Sequence, residues 1–139
     1  MARKTRLNLR TVKRHERGKM NGYEQKFAQL LHEHTITEQH ISGIELNPLP
    51  VIPFSWKFEP ISLALADLKT TYRPDFYVLT TSGQIVFFEV KAHTKAGKVL
   101  FEDAGRVKFK VAASEYPEFR FVVASYSSNG GWKFEEYEL

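Results

Sequence analysis

The stretch that decides the fold is RPDFYVLTTSGQIVFFEVKA, residues 73–92. The hydrophobic period becomes two from Thr70 onward, which predicts strands over residues 71–79 and 84–91, joined across TTSG as a hairpin. An aspartate near one end and a glutamate and a lysine near the other interrupt this apolar stretch. Because burying a charge is costly, three charged side chains in a core hairpin require an explanation.

The register of the hairpin determines whether the three charges meet. Side chains alternate between the two faces of a strand, so Glu89 and Lys91 project from the same face. Asp75 shares that face only if the numbers of paired residues have an even sum. Pairing Leu79 with Ile85 meets this condition, sets Asp75 directly opposite Glu89 and leaves five residues in the loop. A three-residue loop also meets it, whereas a four-residue loop separates the carboxylates. We predict the five-residue loop.

Two carboxylates and a lysine that converge in this way are suited to holding a divalent metal. Oxygen ligands in a chain without cysteine suit Mg²⁺ or Mn²⁺. A bound metal can polarise a phosphoryl oxygen and lower the pKa of a water, and a nearby ammonium can stabilise developing charge. The alternative is a surface ion-pair cluster, worth at most about 1 kcal/mol per pair. The apolar residues on the same faces favour a pocket: Tyr77, Leu79, Ile85 and Phe87.

The remaining elements predict an α/β fold with a mixed sheet and helices packed on it. NGYEQKFAQLLHEH has a helical period with Asn21 as N-cap, and residues 98–116 predict a second helix that ends before Pro117. ISGIELNPLPVIPFSWKF permits a short strand followed by an extended loop, ISLALADLK is ambiguous between helix and strand, and EFRFVVAS and WKFEEYEL predict two final strands. The predicted apolar stripe of the second helix consists of Leu100, Ala104, Val107, Phe109, Val111 and Ala112.

Charge is distributed unevenly along the chain. Of 20 Lys and Arg residues, eight lie in residues 1–20 with a single acidic residue, whereas the remainder of the chain is net acidic. We predict a basic, flexible arm over residues 1–20 and one domain over residues 21–139. We favour a nucleic acid as the partner of this arm, because neutralising phosphates releases condensed counterions; a solubilising tail is the alternative. No apolar run reaches the roughly 18 residues of a membrane span and no secretion signal is recognisable, which predicts a cytoplasmic protein without a membrane partner.

Pro74-Asp75 followed by Glu89-Val90-Lys91 resembles the signature of the PD-(D/E)xK nuclease superfamily, over about residues 21–126. Within it the chain is most similar to small phage-type endonucleases, including those that resolve four-way (Holliday) junctions. The resemblance implies a restriction-endonuclease-like core of helix, three antiparallel strands, helix and strand. It implies that Asp75, Glu89 and the Val90 carbonyl bind Mg²⁺, for which Mn²⁺ can substitute, and that Lys91 assists the water. It also implies a DNA endonuclease that acts as a homodimer, in the host cytoplasm if phage-encoded.

Several further residues are candidates for the site or for nucleic-acid contacts. The resemblance favours Glu24 as an additional acid, but Asn21-x-x-Glu24 equally predicts a capping box. Lys108 either lies near the metal or is a surface lysine, and His93 either touches a phosphate or is a loop residue. The arm residues assigned to nucleic acid are Arg3, Lys4, Arg6, Arg10, Lys13 and Arg14. A non-catalytic nucleic-acid-binding module on the same fold is the competing interpretation.

Overall fold

The computed structural model describes residues 18–35 and 49–138. The described residues form two α-helices and seven β-strands, with a short 3₁₀ turn at Ala66–Leu68. In chain order these are α1 (Gly22–His34), β1 (Pro53–Phe58), β2 (Leu63–Leu65), β3 (Thr70–Tyr72), β4 (Phe76–Thr80), β5 (Ile85–Ala92), α2 (Asp103–Glu115), β6 (Arg120–Ser127) and β7 (Gly131–Glu136).

Five strands form one mixed sheet in the order β1-β4-β5-β6-β7. β1, β4 and β5 are antiparallel neighbours, β6 runs parallel to β5, and β7 returns antiparallel to β6. The parallel pair requires a crossover, and α2 lies in it. β2 and β3 form a separate two-stranded sheet. The expectation of an α/β fold with a mixed sheet is therefore confirmed.

The sheet is covered on both faces, and β5 lies in the middle of it. Val86, Phe88 and Val90 of β5 pack with α1, whereas Phe87 packs with α2 and with the two-stranded sheet. Burial on both faces explains why β5 is apolar almost throughout, since a strand with one solvated face would alternate. The second core cluster also explains how charged residues near Phe87 come to lie in apolar surroundings.

The segments around the main hairpin depart from the sequence prediction. The strand expected over residues 71–79 is divided into β3 and β4, because Pro74 between them has no N–H for a ladder and fixes its own φ. The short strand predicted before the proline-rich loop lies outside the described residues, and β1 follows that loop at a position where no strand was predicted. The ambiguous ISLALADLK contains both kinds of structure, β2 and then the 3₁₀ turn.

The second helix also differs from the prediction. It begins at Asp103, since residues 93–102 form a loop in which the Leu100 N–H donates to the Ala92 carbonyl at 2.9 Å. The predicted apolar stripe was wrong in half of its members. Phe109, Ala112 and Ala113 are buried, whereas the side chains of Leu100 and Val107 are 53% and 49% exposed. The helix has apolar residues on two sides, and the period alone does not distinguish which side meets the sheet.

Phe27 is the main anchor of α1 and supplies a test of this arrangement. It is fully buried, and its ring lies 5.1 Å from Phe76 and 5.0 Å from Phe88 between centroids. We expect Phe27→Ala to lower the free energy of unfolding by about 3–5 kcal/mol, because it leaves a cavity between helix and sheet. Urea titration followed by circular dichroism measures this. Phe54→Ala, at a ring that is 55% exposed, is the matched control; equal losses in both variants would contradict the packing.

Candidate metal centre

The main hairpin has the predicted register. Leu79 pairs with Ile85, which leaves five residues between the paired ends. The loop is closed by the Thr80 N–H, which donates to the Gln84 carbonyl at 2.8 Å. Gly83 has a φ of 87°, a conformation that suits glycine. The five-residue loop is therefore confirmed, and with it the parity on which the site depends.

Asp75 and Glu89 face one another at one end of the sheet. Phe76 pairs with Phe88, so the same register sets Asp75 across from Glu89, on the face that α2 covers. Opposite residues of an antiparallel pair have Cα atoms about 4.5–5.5 Å apart. The Val90 N–H donates to Asp75 Oδ2 at 2.8 Å. The aspartate is thus fixed against the backbone of β5 beside Glu89.

Glu89 is held from two sides. Its side chain shares the face of Phe87, which belongs to the second core cluster, and the residue is only 8% exposed. The hydroxyl of the buried Tyr72 donates to Glu89 Oε1, and Lys91 Nζ lies 3.4 Å from Glu89 Oε2. A buried carboxylate needs such partners, because an unpaired one would be costly. Tyr72 belongs to the small sheet, which therefore contributes directly to the site.

Lys91 lies between Glu89 and an aromatic ring. Its Nζ is 4.8 Å from the centroid of Phe101, and the guanidinium carbon of Arg106 lies 5.1 Å from the same centroid. The ring packs closely on α2 at Gly105, where a Cβ would come within 3.1 Å of it. Cations are attracted to an aromatic face. Phe101 therefore limits where the ammonium of Lys91 can go.

The surroundings of Asp75 and Glu89 disfavour the ionised form of both carboxyl groups. Burial raises the pKa of Asp75 well above its usual value, the charge of Glu89 raises it further, and the hydrogen bond from Val90 opposes this. Burial likewise raises the pKa of Glu89, against the lowering effects of Lys91 and Tyr72. Burial and then Glu89 raise the pKa of Tyr72, which keeps its hydroxyl a donor. A cation between the two acids would relieve both penalties.

The donor set fits a magnesium ion. No donor within residues 18–35 or 49–138 bonds to Asp75 Oδ1, so this oxygen is available to a ligand. The N–H and C=O of a strand residue point toward the same neighbouring strand, so the Val90 carbonyl is directed to the side of Asp75. Over the same residues, no group of three or more His, Asp or Glu side chains is arranged as metal ligands. One or two carboxylates, completed by waters and phosphate oxygens, are typical of Mg²⁺ sites.

Glu24 forms the predicted capping box. The Glu24 N–H donates to Asn21 Oδ1 and Glu24 Oε1 accepts from the Asn21 N–H, both at 2.8 Å. Glu24 is only 3% exposed, and its charge contributes to raising the pKa of both Asp75 and Glu89. The start of α1 thus lies close enough to the two acids to act on them. Capping and a role at the site are compatible.

The other predicted residues lie around the site or outside the described part of the chain. His93 follows β5, and its Nδ1 lies 3.0 Å from Ser125 Oγ, so it is anchored to the adjacent strand. Lys108 is half-buried on α2. The arm residues Arg3, Lys4, Arg6, Arg10, Lys13 and Arg14 precede Gly18, where the described residues begin.

Sequence reasoning missed Tyr72 and Phe101. Tyr72 lies in a strand that the sequence merged with the main hairpin, and Phe101 lies in a segment that was predicted as helix. Neither Phe101, two residues before the start of α2, nor Tyr72, three residues before Asp75, has a spacing that marks it as part of a site. Their roles follow only from the positions of the small sheet and of the loop before α2.

Comparisons of the chain with family models, with curated proteins and with solved structures found no match. Within the described residues, neither helix has the length and apolar character that crossing a membrane requires. The argument for a function therefore depends on the site itself.

Because the two acids repel one another, neutralising one of them should stabilise the fold, by an amount that depends on pH. A carboxyl with a raised folded-state pKa stabilises the fold at low pH, and this contribution is lost as pH rises through that pKa. We expect Asp75→Asn in EDTA to raise the free energy of unfolding at pH 7–8 by the order of 1 kcal/mol, and to have little effect near pH 4, the ordinary carboxyl pKa. Urea titration at each pH measures both values.

Mg²⁺ should stabilise the wild type more than Asp75→Asn. An ion that binds only the folded state stabilises it, so Mg²⁺ should raise the unfolding free energy of the wild type more than that of Asp75→Asn. Asp67→Asn, at an exposed aspartate of the 3₁₀ turn, is the control and should respond to Mg²⁺ as the wild type does. An equal response of all three proteins would exclude a metal at Asp75.

Proposed function

We propose that the protein is a metal-dependent endonuclease of the PD-(D/E)xK kind that hydrolyses DNA phosphodiester bonds. The observation that carries the proposal is the convergence of Asp75, Glu89 and Lys91 on one face at one end of the sheet. An ion-pair cluster would not need two acids across from one another in apolar surroundings. A metal site that acts on phosphate does.

Each residue has a distinct part in the proposed reaction. Mg²⁺, when bound, would supply Lewis acidity toward the phosphate and lower the pKa of a water. Asp75, Glu89 and the Val90 carbonyl are the groups that would hold it. Lys91 is the catalytic lysine, which orients the water or stabilises charge on the phosphate. Tyr72 is a positioning residue, because it fixes one oxygen of Glu89.

The order of elements supports the proposal independently of the site. α1, β1, β4, β5, α2 and β6 follow the sequence of helix, three antiparallel strands, helix and strand that is typical of a restriction-endonuclease-like core. The two-stranded sheet is then an insertion between the first and second core strands, and β7 is an addition at the edge. The insertion supplies Tyr72, so it also belongs to the proposed site.

The substrate and assembly follow from charge and from the resemblance. The basic residues of the arm suit the phosphates of DNA, and Lys108 on α2 and His93 after β5 are further candidates for phosphate contacts. Cutting both strands of a duplex suits a homodimer, and branched DNA such as a four-way junction is the substrate that the resemblance favours. These assignments depend on analogy more than on geometry.

Cleavage of supercoiled plasmid tests the function. Wild-type protein should nick or linearise it with Mg²⁺ or Mn²⁺ and leave it intact in EDTA. Asp75→Asn, Glu89→Gln and Lys91→Ala should each lower the rate at least about 100-fold, because each removes a metal ligand or the group that acts on the water. Asp67→Asn and Lys95→Ala, at exposed residues of the same types, are the controls. DNA that is bound by all variants but never cut would favour a non-catalytic binding module.

Glu24→Gln separates the two roles of Glu24. Glutamine is also accepted at this position of a capping box, so the fold should be retained while the charge is lost. We expect the Mg²⁺ concentration for half-maximal cleavage to rise several-fold, because a negative charge near the two ligands is removed. Circular dichroism checks that α1 is retained. An unchanged Mg²⁺ requirement would reduce Glu24 to a helix cap.

A further inference from the structure

A groove lies beside the first turns of α1, on the opposite face of the sheet from the proposed metal centre. It consists of two adjoining depressions of about 570 and 520 Å³, both lined by Gly22, Lys26 and Tyr126. Trp132 lines the first depression and Tyr23 the second. We call this surface the α1 groove. Its aromatic rings and its cation have no part in the proposed hydrolysis.

Tyr126 is the centre of the α1 groove. Its ring centroid lies 5.2 Å from that of Trp132 and 6.3 Å from that of Tyr23, and Lys26 Nζ lies 5.2 Å from it. Tyr23 remains 41% exposed. Part of the Tyr23 ring is therefore accessible to a ligand, next to a second tyrosine and a lysine. Aromatic faces next to a cation are how proteins bind single-stranded nucleic acid, with bases stacked and phosphates neutralised.

The groove lies near the end of the sheet that carries the proposed metal centre, on the opposite face. Lys91 pairs with Ser125, and the next pair along the two strands is Ala92 with Tyr126. Adjacent strands lie about 4.8 Å apart and residues about 3.3 Å along a strand, so the backbones of Lys91 and Tyr126 are within about 6 Å. Their side chains point to opposite faces. A strand that enters the site can therefore pass around the sheet end into the groove.

We propose that the α1 groove binds an unpaired nucleotide of the substrate, whose base stacks on Tyr23 and Tyr126 while Lys26 meets its phosphate. The inference rests on the proposed function and specifies its substrate class as DNA with unpaired bases: single-stranded, flapped or branched. A base in a duplex is already stacked and cannot enter. The partial positive charge at the start of α1, where Gly22 lines the groove, adds to that of Lys26.

Binding measured in EDTA tests the groove without requiring cleavage. Labelled (dT)12 is compared with an abasic oligonucleotide of the same length and charge, so that the electrostatic contribution of the arm cancels. Wild-type protein should bind (dT)12 at least about fivefold more tightly, the minimum expected from stacking one base. Tyr23→Ala should lose this preference and Tyr23→Phe should keep it. Phe54→Ala, at an exposed ring elsewhere, is the matched control.

Trp132 provides a second readout. In a Trp56→Phe background it is the single tryptophan of the chain, and (dT)12 should quench its fluorescence whereas the abasic oligonucleotide should not. Equal wild-type affinity for the two oligonucleotides would overturn the proposal. So would a dimer that Tyr23→Ala dissociates in sedimentation, because the groove would then be an interface between copies. Both outcomes are measured in the absence of cleavage. They are therefore distinguishable from a failure of the proposed hydrolysis, which is tested with variants of Asp75, Glu89 and Lys91.

Discussion

The pairing of Leu79 with Ile85 is the constraint on which the site depends. Side chains alternate along a strand, so a slip of one residue would send Asp75 to the α1 face and leave Glu89 and Lys91 on the other. Burial on both faces makes such a slip costly, because it would also exchange the residues that pack under α1 and α2. The same apolar packing that stabilises the sheet thus holds the charged residues together.

The site keeps two acids in surroundings that disfavour their ionisation. The carboxylate of Glu89 has Tyr72 and Lys91 as partners, whereas within the described residues the carboxylate of Asp75 has only the Val90 N–H. Replacing both acids with neutral residues would remove this repulsion, so their presence indicates a use for negative charge. If the proposed metal site is correct, the unfavourable ionisation of the two acids in the absence of metal is the cost of a position that a divalent ion would favour. Functional sites commonly carry such local costs.

The parts of the structure that depend on local spacing could be predicted from the sequence. The capping box of α1 lies within four residues, and parity within twenty residues limits the hairpin to a few registers, of which the predicted one is present. Half of the α2 stripe was predicted wrongly, because the helical period does not say which side of the helix meets the sheet. The break at Pro74 was missed, because the apolar alternation continues on both sides of it. Tyr72 and Phe101 reach Glu89 and Lys91 across 17 and 10 residues of chain. No period within a single element describes such contacts.

Residues from the two faces of the sheet influence one another at the end of the sheet where β5 ends. α1 lies on one face and α2 on the other, yet Glu24 of α1 influences both acids on the α2 face. α1 begins near the end of the sheet where β4 starts and β5 ends, since Phe27 packs on Phe76 and Tyr23 lies next to Tyr126, which pairs with Ala92. The same placement brings Lys26 and Tyr23 next to Tyr126. One helix start thus connects the acidic centre with the aromatic groove, and a strand of DNA that bound both would have to bend around it. A rigid duplex bends around so short a radius only at a cost, whereas a strand with unpaired bases does so freely.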